Sequence, residues 1–141
     1  MLNENNYISI INGYSKKDWE PLLSLIPEIE NTSQFGVING KEFDENGILI
    51  MPYYIPSSVV IRFNKIVYNL PIIINFDWSG WSNGHIMVSD NKFNFDTIDI
   101  PEKCKIITAI VRNNRFCDGA LISAFESGLI LRLLKSIKNQ L

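Results

Sequence analysis

The chain contains 141 residues, of which 46% are hydrophobic and 20% charged, and its net charge at pH 7 is −2. This balance is typical of a folded globular domain and excludes a disordered chain. Because the sequence pI is about 5.4 and no segment is a Lys- or Arg-rich helix, nucleic acid is not expected as a partner.

The start of the chain and its longest apolar run bear on location. Met1–Asn6 contains an acid and no basic region, so it does not resemble a secretory signal. The run Leu70–Ile74 is far too short to span a bilayer. The sequence therefore predicts a soluble cytoplasmic protein with no membrane partner. It predicts a loosely ordered segment or short strand over 1–14 and one globular domain over 15–141.

The first predicted helix begins at Ser15 or Asp18 and carries an apolar stripe at helical spacing. The stripe comprises Trp19, Leu22, Leu23, Ile26 and Ile29. Pro27 lies within it and should kink or split the helix. The clearest helical pattern follows Ser57, which is expected to cap it, and Pro71 should end it.

A β-hairpin is predicted over residues 35–54. Two short runs of strand-forming residues are separated by the turn signals Asn39-Gly40 and Asn46-Gly47. Tyr53 and Tyr54 stand at the end of the second run beside two prolines. They are candidates for an interface or a pocket mouth; alternatively, they simply cover a helix end.

The tryptophan segment follows an isoleucine run that reads as a buried strand or an extended connection. Trp78 and Trp81 lie three residues apart, next to Asp77. They predict an aromatic face for a base, a sugar or a partner chain, or else they fill a gap between helices. His85, the only histidine, lies in a weakly helical stretch over 82–89 and is not expected to be a catalyst.

The arginine segment ends the next predicted helix, which Asp99 caps together with Glu102. Arg112 and Arg115 are three residues apart on its last turn. They could form a fork for a carboxylate or phosphate, with Phe116 as an apolar wall. The alternative is that the arginines pair within the chain. The acids considered as their partners are Asp77, Asp118 and Glu126.

Two more apolar helices are predicted, over residues 119–125 and 129–139. Asp118 is expected to cap the first of them, and Gly128 or Ser127 to separate the two. The predicted fold class is mainly α, or α+β with a minor β component. It is a compact bundle of about five to six helices with a small hairpin near 35–54.

The two cysteines do not indicate a metal site, because one histidine and no CxxC spacing accompany them. Cys104 is expected in the core, whereas Cys117 adjoins the arginines. No cofactor and no metal are predicted. The charge is uneven: residues 103–141 hold seven basic and two acidic residues, against six and thirteen in residues 1–102. The basic part could meet an acidic ligand or the acidic part of the chain or of a second copy.

Three segments together resemble a family of small bacterial and phage-borne proteins that is a domain of unknown function. They are Trp19–Pro27, Asn75–Trp81, and Arg112–Gly119 running into Ala124–Gly128. The resemblance spans roughly residues 13–139 and implies no reaction, cofactor or partner. It implies that the tryptophan and arginine segments belong together. Ser82–His85 departs from the family, in which a more charged stretch follows the second tryptophan.

The sequence contains none of the short motifs that identify an enzyme class. Three functions therefore remain as hypotheses. The first is a binding domain for a small anionic or nucleotide-like molecule. Its candidate ligand-binding residues are Asp77, Trp78, Trp81, Arg112, Arg115, Phe116, Asp118 and Glu126. The second is a protein-interaction or self-associating module, such as a homodimer or a phage-borne inhibitor of a host protein. The third, an enzyme, would use Asp77, Glu126 or Cys117.

Overall fold

A computed structural model describes residues 3–40 and 43–141, and over these residues the fold is mainly α. This confirms the predicted fold class. The eight helices of the described residues are α1 (Glu4–Asn12), α2 (Lys16–Leu23), α3 (Ile26–Glu30), α4 (Ser58–Asn69), α5 (Ser82–Ser89), α6 (Ile100–Asn113), α7 (Ala120–Glu126) and α8 (Leu129–Asn139), with a 3-10 helix over Phe95–Thr97. The bundle therefore has two more helices than the upper estimate from the sequence.

One of the additional helices is α1, which lies where a loose segment or short strand was expected. Asn3 and Asn6 exchange side-chain and backbone hydrogen bonds of 3.0 and 2.9 Å, which satisfies the first turn. Ile11 is buried at the other end. The polar composition of this segment did not predict a helix. The hydrogen bonds between Asn3 and Asn6 stabilise its first turn, and a helix forms. Residues 1 and 2 of the predicted segment lie outside the described residues.

The other additional helix arises at Pro27, which splits the first predicted helix into α2 and α3 as expected. Ser15, rather than Asp18, is the N-cap of α2. The Asp18 carboxylate accepts from the Ser15 backbone at 2.9 Å, while the Ser15 hydroxyl accepts from the Asp18 N–H. Pro27 stands in the first turn of α3, where its missing N–H costs nothing.

The hairpin exists, but its second strand lies further along the chain than predicted. Strand β1 (Gly36–Asn39) pairs antiparallel with β2 (Tyr53–Pro56), with Val37 opposite Ile55. Asp44 accepts from the N–H groups of Asn46 and Ile48 at 2.8 and 2.9 Å, which keeps that part of the connection in a local turn. The segment 48–52 therefore joins no strand, apart from one isolated bridge between Phe43 and Leu49. Residues 41 and 42 of the predicted hairpin lie outside the described residues.

The core is built around α6 and α8, and the isoleucine run crosses it as an extended connection. Ile72 and Ile74 are buried without a strand partner. Thr108 of α6 supports the backbone at Ile74: its Oγ1 accepts from the Ile74 N–H at 2.9 Å and donates to the Cys104 carbonyl at 2.8 Å. The Ile72 N–H donates to the Leu70 carbonyl at 2.6 Å. A buried hydroxyl thus supplies, at Ile74, the hydrogen bond that a neighbouring strand would otherwise make.

The predicted helix caps from α4 onward are confirmed only in part. Asp99 caps α6 by accepting from the Glu102 N–H at 2.9 Å, while the Glu102 carboxylate contacts Lys105 instead of returning to the cap. Gly128 has a left-handed φ of 83° between α7 and α8. Ser57 precedes α4 as predicted, but its hydroxyl makes no cap hydrogen bond.

Candidate functional site

The tryptophan segment and α6 enclose a pocket of about 140 Å³, which we call the tryptophan pocket. It is lined by Trp78, Trp81, Gly84, His85, Val88, Ile106, Ala109, Ile110 and Asn113. The apolar lining comes from the two tryptophans and from side chains of α5 and α6, and the polar lining residues are His85 and Asn113. The predicted aromatic face therefore borders a real cavity.

Trp81 is held in place on the side facing the core. Its ring meets Phe76 edge-on, with centroids 5.4 Å apart and planes at 82°. Lys105 Nζ lies 4.6 Å from the Trp81 ring centroid and 4.8 Å from that of Phe76. The same ammonium contacts Glu4 at 2.8 Å. This network links α1, α6 and the tryptophan segment, so Trp81 has a structural role as well as a place in the pocket.

Trp78 connects the tryptophan segment to the arginine segment. Its ring stacks on Phe116 with centroids 6.1 Å apart and planes inclined by 29°. Phe116 is 81% exposed, so the outer face of the pair is open to solvent. Trp78 lines the pocket, and the stacked pair therefore lies at its rim. The expectation that the two segments belong together is met at this contact.

The two arginines do not form a fork in this structure. Arg115 is exposed, and its Nη2 donates to the Tyr68 hydroxyl at 3.1 Å. Arg112 is partly buried and forms no ion pair within the described residues. Neither lines the tryptophan pocket. However, Arg112 follows Ala109 by three residues on α6, so it adjoins the pocket wall on the helix surface.

The acids expected to pair with the arginines do not form ion pairs with them among the described residues. Asp77 is exposed, and its Oδ1 accepts from the Ser79 hydroxyl at 3.1 Å and the Gly80 N–H at 3.2 Å, a local turn. Glu126 is exposed at the end of α7. Within the part of the chain that the structure describes, no carboxylate pairs with either arginine. The predicted intramolecular pairing is therefore not seen.

Asp118 does not cap α7, which is a correction to the prediction. Gly119, with a left-handed φ of 85°, is the N-cap residue. The Asn114 side chain accepts from the Leu121 N–H at 3.0 Å in the expected role of Asp118. Asp118 instead accepts from the Tyr54 N–H of β2 at 3.0 Å.

Tyr54 and Asp118 border a second cavity, of about 150 Å³, between the hairpin, α4 and α7. The Tyr54 ring lies against Gly119, where a Cβ would come within 2.6 Å of it. Tyr53 lies on the other face of β2, and its hydroxyl accepts from the Asn39 amide at 3.0 Å. The candidate residues are therefore divided between two pockets and the open surface, and they do not converge on one site.

The groups proposed for catalysis are not enclosed. Asp77, Glu126 and Cys117 are all exposed. Cys104 is in the core as predicted, where burial raises the pKa of its thiol, and both cysteines are free. Among residues 3–40 and 43–141, no three side chains of His, Cys, Asp or Glu are grouped as metal ligands would be.

Sequence reasoning missed Lys103, although its spacing placed it on the buried stripe with Ile107 and Val111. Lys103 is fully buried, and its Nζ has no hydrogen-bond partner among the described residues. Burial lowers its pKa, and the charges of Asp96 and Asp99 oppose that shift. Asn113 and His85 were also missed as pocket residues, because only the packing of α5 on α6 brings them together.

The chain belongs to a family of unknown function, DUF6508, whose model matches residues 14–141. This confirms the resemblance to a domain of unknown function. No curated protein and no solved structure matches the chain. Among the helices that the structure describes, none is long and apolar enough to cross a membrane.

Proposed function

We propose that this domain binds a small planar molecule in the tryptophan pocket. The observation that carries the proposal is the pocket itself, in which Trp78 and Trp81 share about 140 Å³ with the wall of α6. An apolar cavity of about 150 Å³ accepts a benzene-sized ring. The pocket is therefore the right size for one aromatic ring of a ligand whose remainder stays at the rim.

The polar groups around the pocket favour a heterocyclic ring with an anionic substituent. The Asn113 amide can both donate and accept hydrogen bonds, as the edge of a nucleobase requires. Arg112 stands one helical turn after the pocket residue Ala109 on α6 and has no carboxylate partner in the described part of the chain. Its guanidinium would suit a phosphate or carboxylate on the ligand. A nucleotide-like molecule combines these features.

Tryptophan fluorescence tests the proposal directly, because Trp78 and Trp81 line the pocket while Trp19 is buried elsewhere. The protein would be titrated with nucleobases, nucleosides and nucleoside monophosphates, with thermal unfolding measured in parallel. Binding at 100 times the Kd should raise the unfolding free energy by about 2.7 kcal/mol. Ala109→Leu, which fills the pocket from α6, should abolish the response.

The control is Ser9→Leu, another small-to-large change, at an exposed position of α1 that does not line the tryptophan pocket. It should bind as the wild type does. Arg112→Gln should raise the Kd for nucleoside monophosphates about tenfold or more and leave the Kd for nucleosides unchanged. Titrations without any response, or a response that survives in a folded Ala109→Leu, would contradict the proposal.

A further inference from the structure

The two edges of the hairpin are not equivalent. Tyr54 directs its backbone N–H away from β1 and donates it to Asp118. Its cross-strand partner Ile38 therefore belongs to a pair that is not hydrogen-bonded within the hairpin, and it also directs its backbone groups outward. Asp118 covers the edge of β2 at Tyr54. Among residues 3–40 and 43–141, no side chain hydrogen-bonds to the edge of β1 in this way.

The open edge of β1 consists of the N–H and C=O groups of Gly36 and Ile38. These two residues alternate with Val37, which is paired with Ile55 inside the hairpin. No hydrogen bond from the described residues reaches the outward groups. An uncovered edge of this kind is a template for another strand, and a two-stranded hairpin alone is only marginally stable.

Exposed apolar side chains are concentrated around the same hairpin. Eleven of the fifteen large hydrophobic residues exposed in the described part of the chain lie between Val37 and Ile61. At about 200 Å² for each large side chain, their exposed fractions amount to on the order of 1,000 Å². A stable interface buries about 800 Å² on each partner. The apolar area exposed over residues 37–61, summed residue by residue, is therefore comparable with the area that one partner of a stable dimer buries.

We propose that a second copy of this chain occupies the β1 edge, so that two hairpins form one four-stranded antiparallel sheet. A two-fold axis would pass beside Val37. Gly36 of each copy would then exchange backbone hydrogen bonds with Ile38 of the other, giving four bonds. The outward groups of β1 are symmetric about Val37, which makes this edge complementary to itself, as a two-fold interface requires.

The outer face of the sheet agrees with this arrangement. Val37 and Ile55 lie side by side on that face, 45% and 41% exposed. Across the axis, Val37 would stand directly opposite its own copy in a pair that is not hydrogen-bonded. The result is a continuous row of four β-branched side chains, a pairing that stabilises sheets.

Sedimentation velocity over micromolar concentrations tests the proposal. The wild type should sediment as a species of twice the 16.2 kDa mass. Val37→Lys places two like charges opposite each other at the axis and should raise the dissociation constant at least tenfold. Ile55→Lys is the matched control: it changes the neighbouring residue on the same face, but its charges would lie three strand spacings apart, about 14 Å. It should remain dimeric.

A cross-link tests the register independently of affinity. In a Cys117→Ser background, which leaves only the buried Cys104, Val37→Cys should form an intermolecular disulfide on mild oxidation. The Cα atoms of such a pair are about 4.5 Å apart, within disulfide range. Asn39→Cys, away from the axis, should not cross-link. A wild type that stays monomeric at 100 μM, or a folded Val37→Lys that dimerises as well as Ile55→Lys, would overturn the proposal.

Discussion

Trp78 stacks on Phe116, and this contact joins two segments that are 38 residues apart in sequence. It places Phe116 of the arginine segment at the rim of the tryptophan pocket. The pair has one face on the protein and one face open to solvent, because Phe116 is 81% exposed. A ligand ring in the pocket would therefore lie beside an aromatic surface that already exists.

The stack should make a small, measurable contribution to stability. Buried aromatic pairs contribute about 0.5–1.5 kcal/mol beyond area burial, and the exposure of Phe116 places this pair at the low end. A double-mutant cycle of Phe116→Ala and Trp78→Ala, measured by urea unfolding, should give a coupling near 0.5 kcal/mol. Additive effects of the two changes would show that the rings do not interact in solution.

Thr108→Val should destabilise the domain by about 1–3 kcal/mol, because it leaves the buried Ile74 N–H without an acceptor. Thr108→Ser is the control, since it keeps the hydroxyl and removes one methyl group, a loss of about 1 kcal/mol. Urea unfolding monitored by circular dichroism would compare the two. If Thr108→Ser lowers the free energy of unfolding as much as Thr108→Val does, the hydroxyl is not the group that supports the extended connection.

Lys103→Met should stabilise the domain by about 1–3 kcal/mol at neutral pH, because it keeps the apolar stem and removes a buried donor that has no hydrogen-bond partner among the described residues. Since burial lowers the folded-state pKa of Lys103 below its ordinary 10.5, the unfolded chain binds more protons between the two values. Wild-type stability therefore rises, relative to Lys103→Met, as the pH approaches 10.5.

Unfolding curves of both proteins between pH 7 and 10 would check this prediction. Lys138→Met, at an exposed position near the end of α8, is the control and should show no comparable convergence. If the wild type and Lys103→Met differ in free energy of unfolding by the same amount at every pH in this range, the buried Lys103 ammonium is not the cause of the difference.

Gly119→Ala should cost more than Gly128→Ala, although both glycines have left-handed φ angles near 84°. At Gly128 a Cβ meets no atom within 4 Å, so its replacement measures the backbone cost alone, about 1–2 kcal/mol. At Gly119 the Cβ would lie 2.6 Å from the Tyr54 ring. Adding Tyr54→Ala should remove the excess cost, as measured by thermal unfolding. Equal costs for the two glycine changes would show that the Tyr54 ring moves freely.

The candidate site was predicted only in part. Trp78, Trp81 and Phe116 were chosen as candidates from their types and spacing, and the structure brings them to one pocket and its rim. The arginine fork was not seen, because helical spacing puts Arg112 and Arg115 on one turn only if the helix continues. Instead α6 ends at Asn113, and Arg115 turns toward Tyr68.

Local chemistry in the sequence was sufficient to define most helices. Hydrophobic periodicity marked α4, α6 and α8, and proline and capping residues located several of their ends. These signals act within a few residues of the chain, so they can be read without a structure. The same signals did not predict α1. Its residues are mostly polar, and the cap at Asn3 stabilises its first turn.

Tertiary structure alone decided which distant residues meet. The tryptophan pocket depends on how α5 packs against α6, and the cover over the β2 edge depends on a carboxylate 64 residues away from Tyr54. The burial of Lys103 also follows from packing, since a lysine on an apolar stripe can extend to solvent until neighbouring elements enclose it. Contacts of this kind are set by the joint packing of several elements, for which local sequence carries no separate signal.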